Sequence, residues 1–583
     1  MLALNIGEKR LPMMMKAKGA ATAALVAACL LFSRPSPAAD RASEPSPSGL
    51  SRPTPFRLST LSISPGDGVT PSLGTPGFSL ASREANRERA SNLFATPPRT
   101  RVGRAWIELG GFMAFSGGSY WIRYKKGGFT EDWQFAPTFS AQFKRFFLFQ
   151  GWMFDSNNFK LNWTHSLAGG IYYQFGRANY KSWFQSWLMA CAGSTFWEGL
   201  VEWKEVISLN DQIMTGIGGF ATGEPWYQIG EYLSHQPSFL LRALGWINPA
   251  IKVNSWLDRK DAATRDYIQP AWHDFGLTVG VRHLASSGKS SETAAYFGLH
   301  TQLLTLPEYG RPGEIDQAVK DTYISEIGLD YAVRDGHADE TNLTLGAVTW
   351  GHFWQKIRDD LTGYSLTLGL GSSFQYFKKK PLNYYDSAQL SVDPTDLGAN
   401  LELDQPRNFT DKLAIVHIAG PVLDWTIFRR GLKLRTVASA SVDFGLINSL
   451  ALNAYSELHH TLPDDTIQGM KETLVYYGYY YGFGGSFSGQ ANLEWGGFRT
   501  RALVSFGAWG SADFRDRFAD KITNNAHGDD NRFRTLGGVG WKLPRIPLEV
   551  FVNYEGIHRW GRLPGVTVRN LEKRTFAGLE FSF

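Results

Sequence analysis

Cysteine is nearly absent from this chain: Cys29 and Cys191 are the only two in 583 residues. Cys29 sits in an N-terminal apolar run, so maturation would leave Cys191 alone and no intrachain disulfide framework is available. Long hydrophobic runs are missing too. Beyond the N-terminus no stretch reaches the roughly 18 apolar residues a spanning helix needs, which excludes a polytopic helical membrane protein. The formal net charge of +5 is spread along the chain and not gathered into a Lys/Arg stripe. That excludes the electrostatic footprint of a nucleic-acid partner. Familiar catalytic signatures are also lacking. There is no His-Glu-x-x-His zinc site and no Gly-x-Ser-x-Gly elbow, and "GKSS" at Gly288 has His283 where a phosphate-binding loop needs its first glycine. No enzyme class, metal or cofactor is indicated by motif.

What is present points to strands. Aromatics make up 14%, glycine numbers 61, and hydrophobic residues reach 43%, yet mean hydropathy is only −0.23. In "RTFAGLEFSF" Ala577, Leu579, Phe581 and Phe583 alternate with Phe576, Gly578, Glu580 and Ser582, the period of two expected of a strand. "GLKLRTVASASVDF" and "IPLEVFVNYE" repeat that alternation. One face suits lipid and the other a polar lumen, as in a transmembrane β-barrel. Counting back from Phe583 gives about twelve strands starting near Trp272, an even number. Short connections ("IRDDL", "RRG", "GG", "LPRIP") fall on one side. Long ones fall on the other: 378–411, 448–472, 511–531 and 557–571. Pro307 to Asp321 breaks this rule, being long on the short side. A terminal Phe on an alternating strand resembles the assembly signal of outer-membrane barrels. The alternative is a secreted β-sandwich.

The N-terminus has the layout of an export signal. Lys9, Arg10, Lys16 and Lys18 precede "AATAALVAACLLF", and Ser36, Ala38 and Ala39 suit a signal peptidase. We expect a signal peptide over 1–39, with lipidation of Cys29 in "VAAC" as the alternative processing. Residues 40–98 are rich in Pro and Ser and cannot bury enough apolar surface to offset their ordering entropy, so a flexible linker is expected. Residues 99–161 form a lead segment in which strands are expected.

From 162 to 257 the periodicity is helical. His165, Gly169, Tyr173 and Arg177 recur every four residues on a first helix. On a second helix, over about 182–206, Ser194, Glu198, Glu202 and Glu205 share a face. A third begins at Ser208 and carries Asp211, Gly218 and Gly219, ending near Glu224 and Pro225. "PSFLLRALGWINP" reads as a fourth, amphipathic piece. In order and spacing, Trp152, Asp155, Asn162, His165, Tyr172, Tyr173 and Arg177 resemble a bacterial membrane-associated family, domain of unknown function 3943. Trp197, Glu198, Glu202, Ser208, Asn210, Asp211, Gly218, Gly219, Gly223 and Glu224 continue the pattern. Ser166 and Ile207 depart from it, standing where the family has Pro. The resemblance implies an envelope location and no established activity.

Six residues are therefore candidates for a polar cluster: His165, Arg177, Glu198, Glu202, Asp211 and Glu224. Each also has a structural reading. Asp211 pairs with Ser208 as a capping box, and Glu198 and Glu202 pair with Arg177 and Lys204. Glu224, at an unfavourable helix end, calls for Arg177 or His165. The expectation is an outer-membrane antiparallel β-barrel over 272–583, preceded by a helical module that plugs the lumen or sits beneath it in the periplasm. It would serve envelope structure, assembly or solute passage, with outer-membrane lipid and the barrel-assembly machinery as partners. The alternative is a membrane-embedded enzyme acting on lipid or a lipid-linked envelope substrate, with Glu198 or Glu202 as base or metal ligand.

Overall fold

The computed structural model describes residues 100–124, 135–154, 159–236, 238–258, 272–286, 291–306, 308–381, 390–392, 410–451, 479–512 and 527–582. The expected signal peptide, the linker, Cys29 and most of the long loops lie outside the described residues.

The strand alternation folds as a closed antiparallel barrel. Its strands are β3 (Trp272–Ser286), β4 (Glu292–Leu304), β5 (Gly313–Val319), β6 (Ile324–Arg334), β7 (His337–Ile357) and β8 (Gly363–Pro381). They continue through β10 (Thr410–Arg429), β11 (Leu432–Asn448), β12 (Tyr479–Trp495), β13 (Phe498–Ser511), β14 (Asp529–Lys542), β15 (Leu548–Leu563) and β16 (Val566–Ser582). The sheet closes where β16 pairs with β3, opposing Ala577 to Val281 and Phe581 to Leu277. A short β9 (Leu390–Val392) borders β16. β5 and β6 both pair with β7, at 351–357 and 337–348, so they share one lane and the wall has twelve. This resolves the anomalous Pro307 to Asp321 connection. Its second half is wall, because Ile315 and Val319 pack against the cluster of Tyr323 and Phe353. The expected loop over 557–571 is likewise strand. β15 and β16 run on to Leu563 and Val566, and Gly565, at φ +73°, supplies the positive dihedral of a tight turn after Pro564.

Among its described residues the lead segment is mainly helical, with one two-residue strand. α1 (Val102–Tyr124) and α2 (Phe139–Phe147) precede β1 (Trp152–Met153). Ala105, Leu109, Met113 and Gly117 are the buried positions of α1, a spacing of four that selects helix. The module continues with α3 (Phe159–Arg177), α4 (Trp183–Phe196), a π-helical turn (Trp197–Val201) and β2 (Ile207–Ser208), which pairs in parallel with β1. α5 (Leu209–Ser234), α6 (Phe239–Leu244) and α7 (Pro249–Leu257) complete it.

Strand parity decides where this module sits. Gln302, Glu326, Gln375, His417, Arg435, Gln490 and Ser505 come from seven different strands and line one cavity, so their side of the wall is the lumen. Residues of opposite parity face out, and Leu277, Val279, Leu368, Leu370, Val442, Val550 and Val552 are exposed there. Phe374, Val416 and Phe444 share that outward parity, opposing one another across β8, β10 and β11. Yet they are fully buried, because Met214 and Ala221 of α5 cover them. At its other end α5 stacks Tyr232 on Phe275 of β3 (5.1 Å) and packs Ile229 and Leu233 beside Leu303. A 26-residue helix is about 39 Å long, enough to cross the wall diagonally. The helices therefore neither plug the lumen nor hang beneath the barrel. They lie along its outer face, correcting the expected placement, because the apolar row they bury is the outward one.

α3 and α5 touch backbone to backbone. A Cβ at Gly169 would fall 1.9 Å from the Thr215 carbonyl, and one at Gly219 would fall 2.7 Å from the carbonyl carbon of Gly169. Gly169→Ala should lower the denaturant midpoint by an overpacking cost of about 1–3 kcal/mol. Gly110→Ala, on α1 with nothing within 4 Å of its Cβ, should leave the midpoint unchanged or raise it. Equal effects from the two would contradict the close contact.

Candidate functional site

The six candidate residues do not form one constellation; the fold distributes them over two linked clusters of the module. At the start of α5, Ser208 is the N-cap and its hydroxyl accepts from the Asp211 backbone N–H at 3.2 Å. The reciprocal half of a capping box would have the Asp211 carboxylate accept from Ser208 N–H. Glu198 takes that place, its Oε2 accepting from Ser208 N–H at 3.0 Å. Asp211 is thereby released to hold His165, Nδ1 to Oδ1 at 2.6 Å, and it also accepts from Asn210 Nδ2 at 3.0 Å. A carboxylate on one ring nitrogen fixes the orientation of an imidazole. This is the arrangement in the module best suited to moving a proton.

Glu198, Glu202 and Glu205 do not share a helix face. α4 ends at Phe196, and the π turn and the bends after it send the three in different directions. Arg177, one of their expected partners, is engaged by Glu224 instead. A fully buried cation at this corner is Arg145 of α2. Its guanidinium donates to the backbone carbonyls of Glu198 (2.5 Å), Glu202 (2.9 Å) and Glu205 (2.6 Å). They are carbonyls of the π turn and of the irregular segment after it, where the regular helix ladder has ended. Glu202 Oε1 accepts from Trp197 Nε1 at 2.8 Å, and Glu205 accepts from the Tyr120 hydroxyl. Sequence reasoning passed over Arg145. Its signal was a basic residue inside the aromatic helix "FSAQFKRFF", where a charge needs a partner.

The second cluster surrounds Glu224, whose side chain is fully buried. Arg177 clamps it with Nε to Oε2 at 3.0 Å and Nη2 to Oε1 at 3.1 Å. The Tyr173 hydroxyl donates at 2.5 Å and Gln228 at 2.7 Å. Arg177 also covers the Tyr227 ring at 4.5 Å and lies 3.8 Å from Asp321, in the link between β5 and β6. So the expected partner was Arg177, while His165 belongs to Asp211. The helix end expected at Pro225 is not there. α5 continues to Ser234 because Ile229 and Leu233, four apart, bury against the wall and outweigh the missing N–H donor. Among the described residues no three His, Cys, Asp or Glu side chains form a metal centre.

The lumen holds a second candidate site, which the sequence reading did not list. It is a cavity of about 180 Å³ whose charges are largely spent on one another. His417 Nδ1 meets Asp443 at 2.7 Å, and Trp509 Nε1 donates to the same carboxylate at 2.9 Å. Arg435 binds Asp424 through Nε at 2.9 Å and gives Nη1 to Gln302 Oε1, also at 2.9 Å. Toward the short-turn end Arg499 and Arg501 bridge Glu549 and Glu580. Toward the long-loop end Arg282 bridges Asp339 and Glu340, and Glu555 joins Arg534 to Arg574. All of these side chains except the half-buried His417 are buried.

Residues 151–249 match the family described as Domain of unknown function (DUF3943). The DUF3943 segment thus runs from the end of α2 to the start of α7 and contains all six candidates. No match is found among curated proteins. Among solved structures the chain is similar to the outer-membrane-expressed OmpT of Vibrio cholerae, with 7% identity and TM-score 0.22 over 54% of this chain and 98% of that one. It is also similar to the beta domain of the Bordetella autotransporter BrkA (9%, 0.20, 52% and 98%). A FadL homologue of Pseudomonas aeruginosa gives 9% and 0.20, over 53% and 90%. At these scores the likeness adds nothing to what the strand pairing itself shows.

Glu224→Gln should destabilise the protein by about 3–5 kcal/mol, because it leaves the Arg177 guanidinium buried without its counter-charge. The double variant E224Q/R177M should regain part of that loss in denaturant titrations. Ser208→Ala should cost about 1 kcal/mol, the value of an N-cap. A double variant no better than E224Q alone would contradict the pairing.

Proposed function

We propose that this chain is an integral protein of the Gram-negative outer membrane. Its barrel is a closed scaffold, and its DUF3943 module is held against the wall with its outer surface in lipid, serving envelope structure or assembly. The supporting observation is the polarity of the wall, apolar outside and ionic inside, which is reversed from a soluble barrel. Val279, Val281, Val550, Val552, Tyr554 and Leu579 stand exposed on the outside while the arginines and carboxylates of the lumen are buried. The module continues the apolar surface, with Ile107, Phe139, Phe147, Phe239, Leu240 and Trp256 more than 60% exposed. An open aqueous pore would leave its lining wet; the ion pairs on either side of the cavity argue instead for closure.

A second reading follows from the His165–Asp211 pair. In it the module acts on lipid or a lipid-linked substrate, with His165 moving the proton. His165→Gln should then change the mass spectrum of envelope lipids while assembly is unaffected. Unchanged lipids leave the scaffold reading.

The scaffold reading predicts recovery in the outer-membrane fraction with heat-modifiable gel mobility, and no steady conductance in planar bilayers above the lipid baseline. A freely soluble folded protein would sink the membrane assignment, and stable single-channel steps would sink closure.

A further inference from the structure

The lumen cavity has more hydrogen-bonding capacity than the protein itself uses. Gln302 and Gln375 are 2% and 5% exposed, both line the cavity, and the Nε2 of each has no hydrogen-bond partner among the described residues. Buried amide donors are normally satisfied, so a pair left open on one cavity points to an occupant. Opposite them Ser439, Ser488 and Ser505 stand side by side, since Ser488 opposes Ser439 on β11 and Ser505 on β13. Their hydroxyls form a row spaced by the distance between strands, about 4.8 Å. Glu326 adds an acceptor from β6. The stronger charges are already engaged, Arg435 by Asp424, His417 by Asp443 and Arg534 by Glu555. What remains is a ring of neutral donors and acceptors with one carboxylate, Glu326, and one further cation, Arg532, which lies over the Phe377 ring at 5.6 Å.

Size narrows the choice of occupant. A buried water needs about 10–15 Å³ of such space, so the cavity has room for roughly a dozen. That is far more than isolated structural waters require, and it suits one ring-sized organic molecule.

We propose that the lumen cavity is a binding site for a small neutral polyhydroxylated solute, of monosaccharide or polyol class, enclosed between the two layers of ion pairs. The hydroxyl row and the two glutamine amides bind the ring hydroxyls. Glu326 accepts from one more, and with Arg532 on the same lining the two opposite charges favour a neutral solute over either an acid or an amine. The proposal goes beyond the scaffold reading and stands on the lumen alone; conductance tests that reading and ligand retention tests this one.

The experiment is equilibrium dialysis of the full-length protein, folded in detergent, against labelled D-glucose, with glucuronate and glucosamine as charged counterparts. Glucose should be retained at one per chain, at least tenfold better than either counterpart. Gln302→Leu should weaken retention tenfold or more, and Ser439→Leu, which fills the cavity, should abolish it. Ser488→Ala, the mildest change, should weaken it severalfold with heat-modifiable mobility intact. The proposal is overturned if wild type retains no glucose at millimolar concentration, so that the cavity holds water only. It is also overturned if a charged counterpart binds as well, or if folded S488A and S439L retain glucose like wild type.

Discussion

The contact between α5 and the outward row of Phe374, Val416 and Phe444 is the constraint on which the other features depend. A barrel wall with an apolar exterior offers a helix two surroundings, lipid or lumen, and they demand opposite surfaces. α5 presents Met214, Ile217 and Ala221 to the wall, so it takes the outside. The lumen is then left for its own arginines and carboxylates. With α5 on the wall, α3 can approach it at Gly169 and Gly219, and α4 can lay Trp183 edge-on against Trp350 at 4.8 Å.

The same seam explains why carboxylates occupy such an apolar neighbourhood. Burying charge is costly unless it is paired and hydrogen-bonded, and each carboxylate here has a specific task. Glu224 ties α5 to Arg177 of α3, and through Asp321 this pair reaches the barrel. Glu198 completes the cap of α5, Asp211 orients His165, and Arg145 gathers the carbonyls of the π turn. Together these contacts specify how four helices meet without relying on hydrophobic contrast, which lipid would weaken.

Much of the barrel was legible because alternation is a local signal. The first strand begins at Trp272, where period two takes over, and the short turns fall where Gly and Arg interrupt it. β5 was hidden because a strand that extends a neighbour's lane looks like a long connection from sequence. The hairpin through Gly565 was hidden because aromatic and polar residues in "IHRWGRLPG" read as loop. In the module, the helix carrying His165 and Arg177 and the cap at Ser208 were readable from spacing. The side of the wall was not. Periodicity says that Met214 and Ile217 are buried, but not against what, and Arg145 lay outside the pattern that drew attention to the carboxylates. The lumen cavity needed strand register, since its lining comes from residues hundreds apart in sequence.

The central claim is that the helices lie on the outer face of the wall, and neighbouring residues of β8 test it directly. Trp163 of α3 lies 4.5 Å from Tyr376, ring centre to ring centre, while Gln375 points into the lumen. In a Cys191→Ser background, Trp163→Cys combined with Tyr376→Cys should be joined by a short bismaleimide in folded protein in the membrane. Trp163→Cys with Gln375→Cys should not. Efficient joining of the second pair and not the first would place the helices in the lumen and contradict the account.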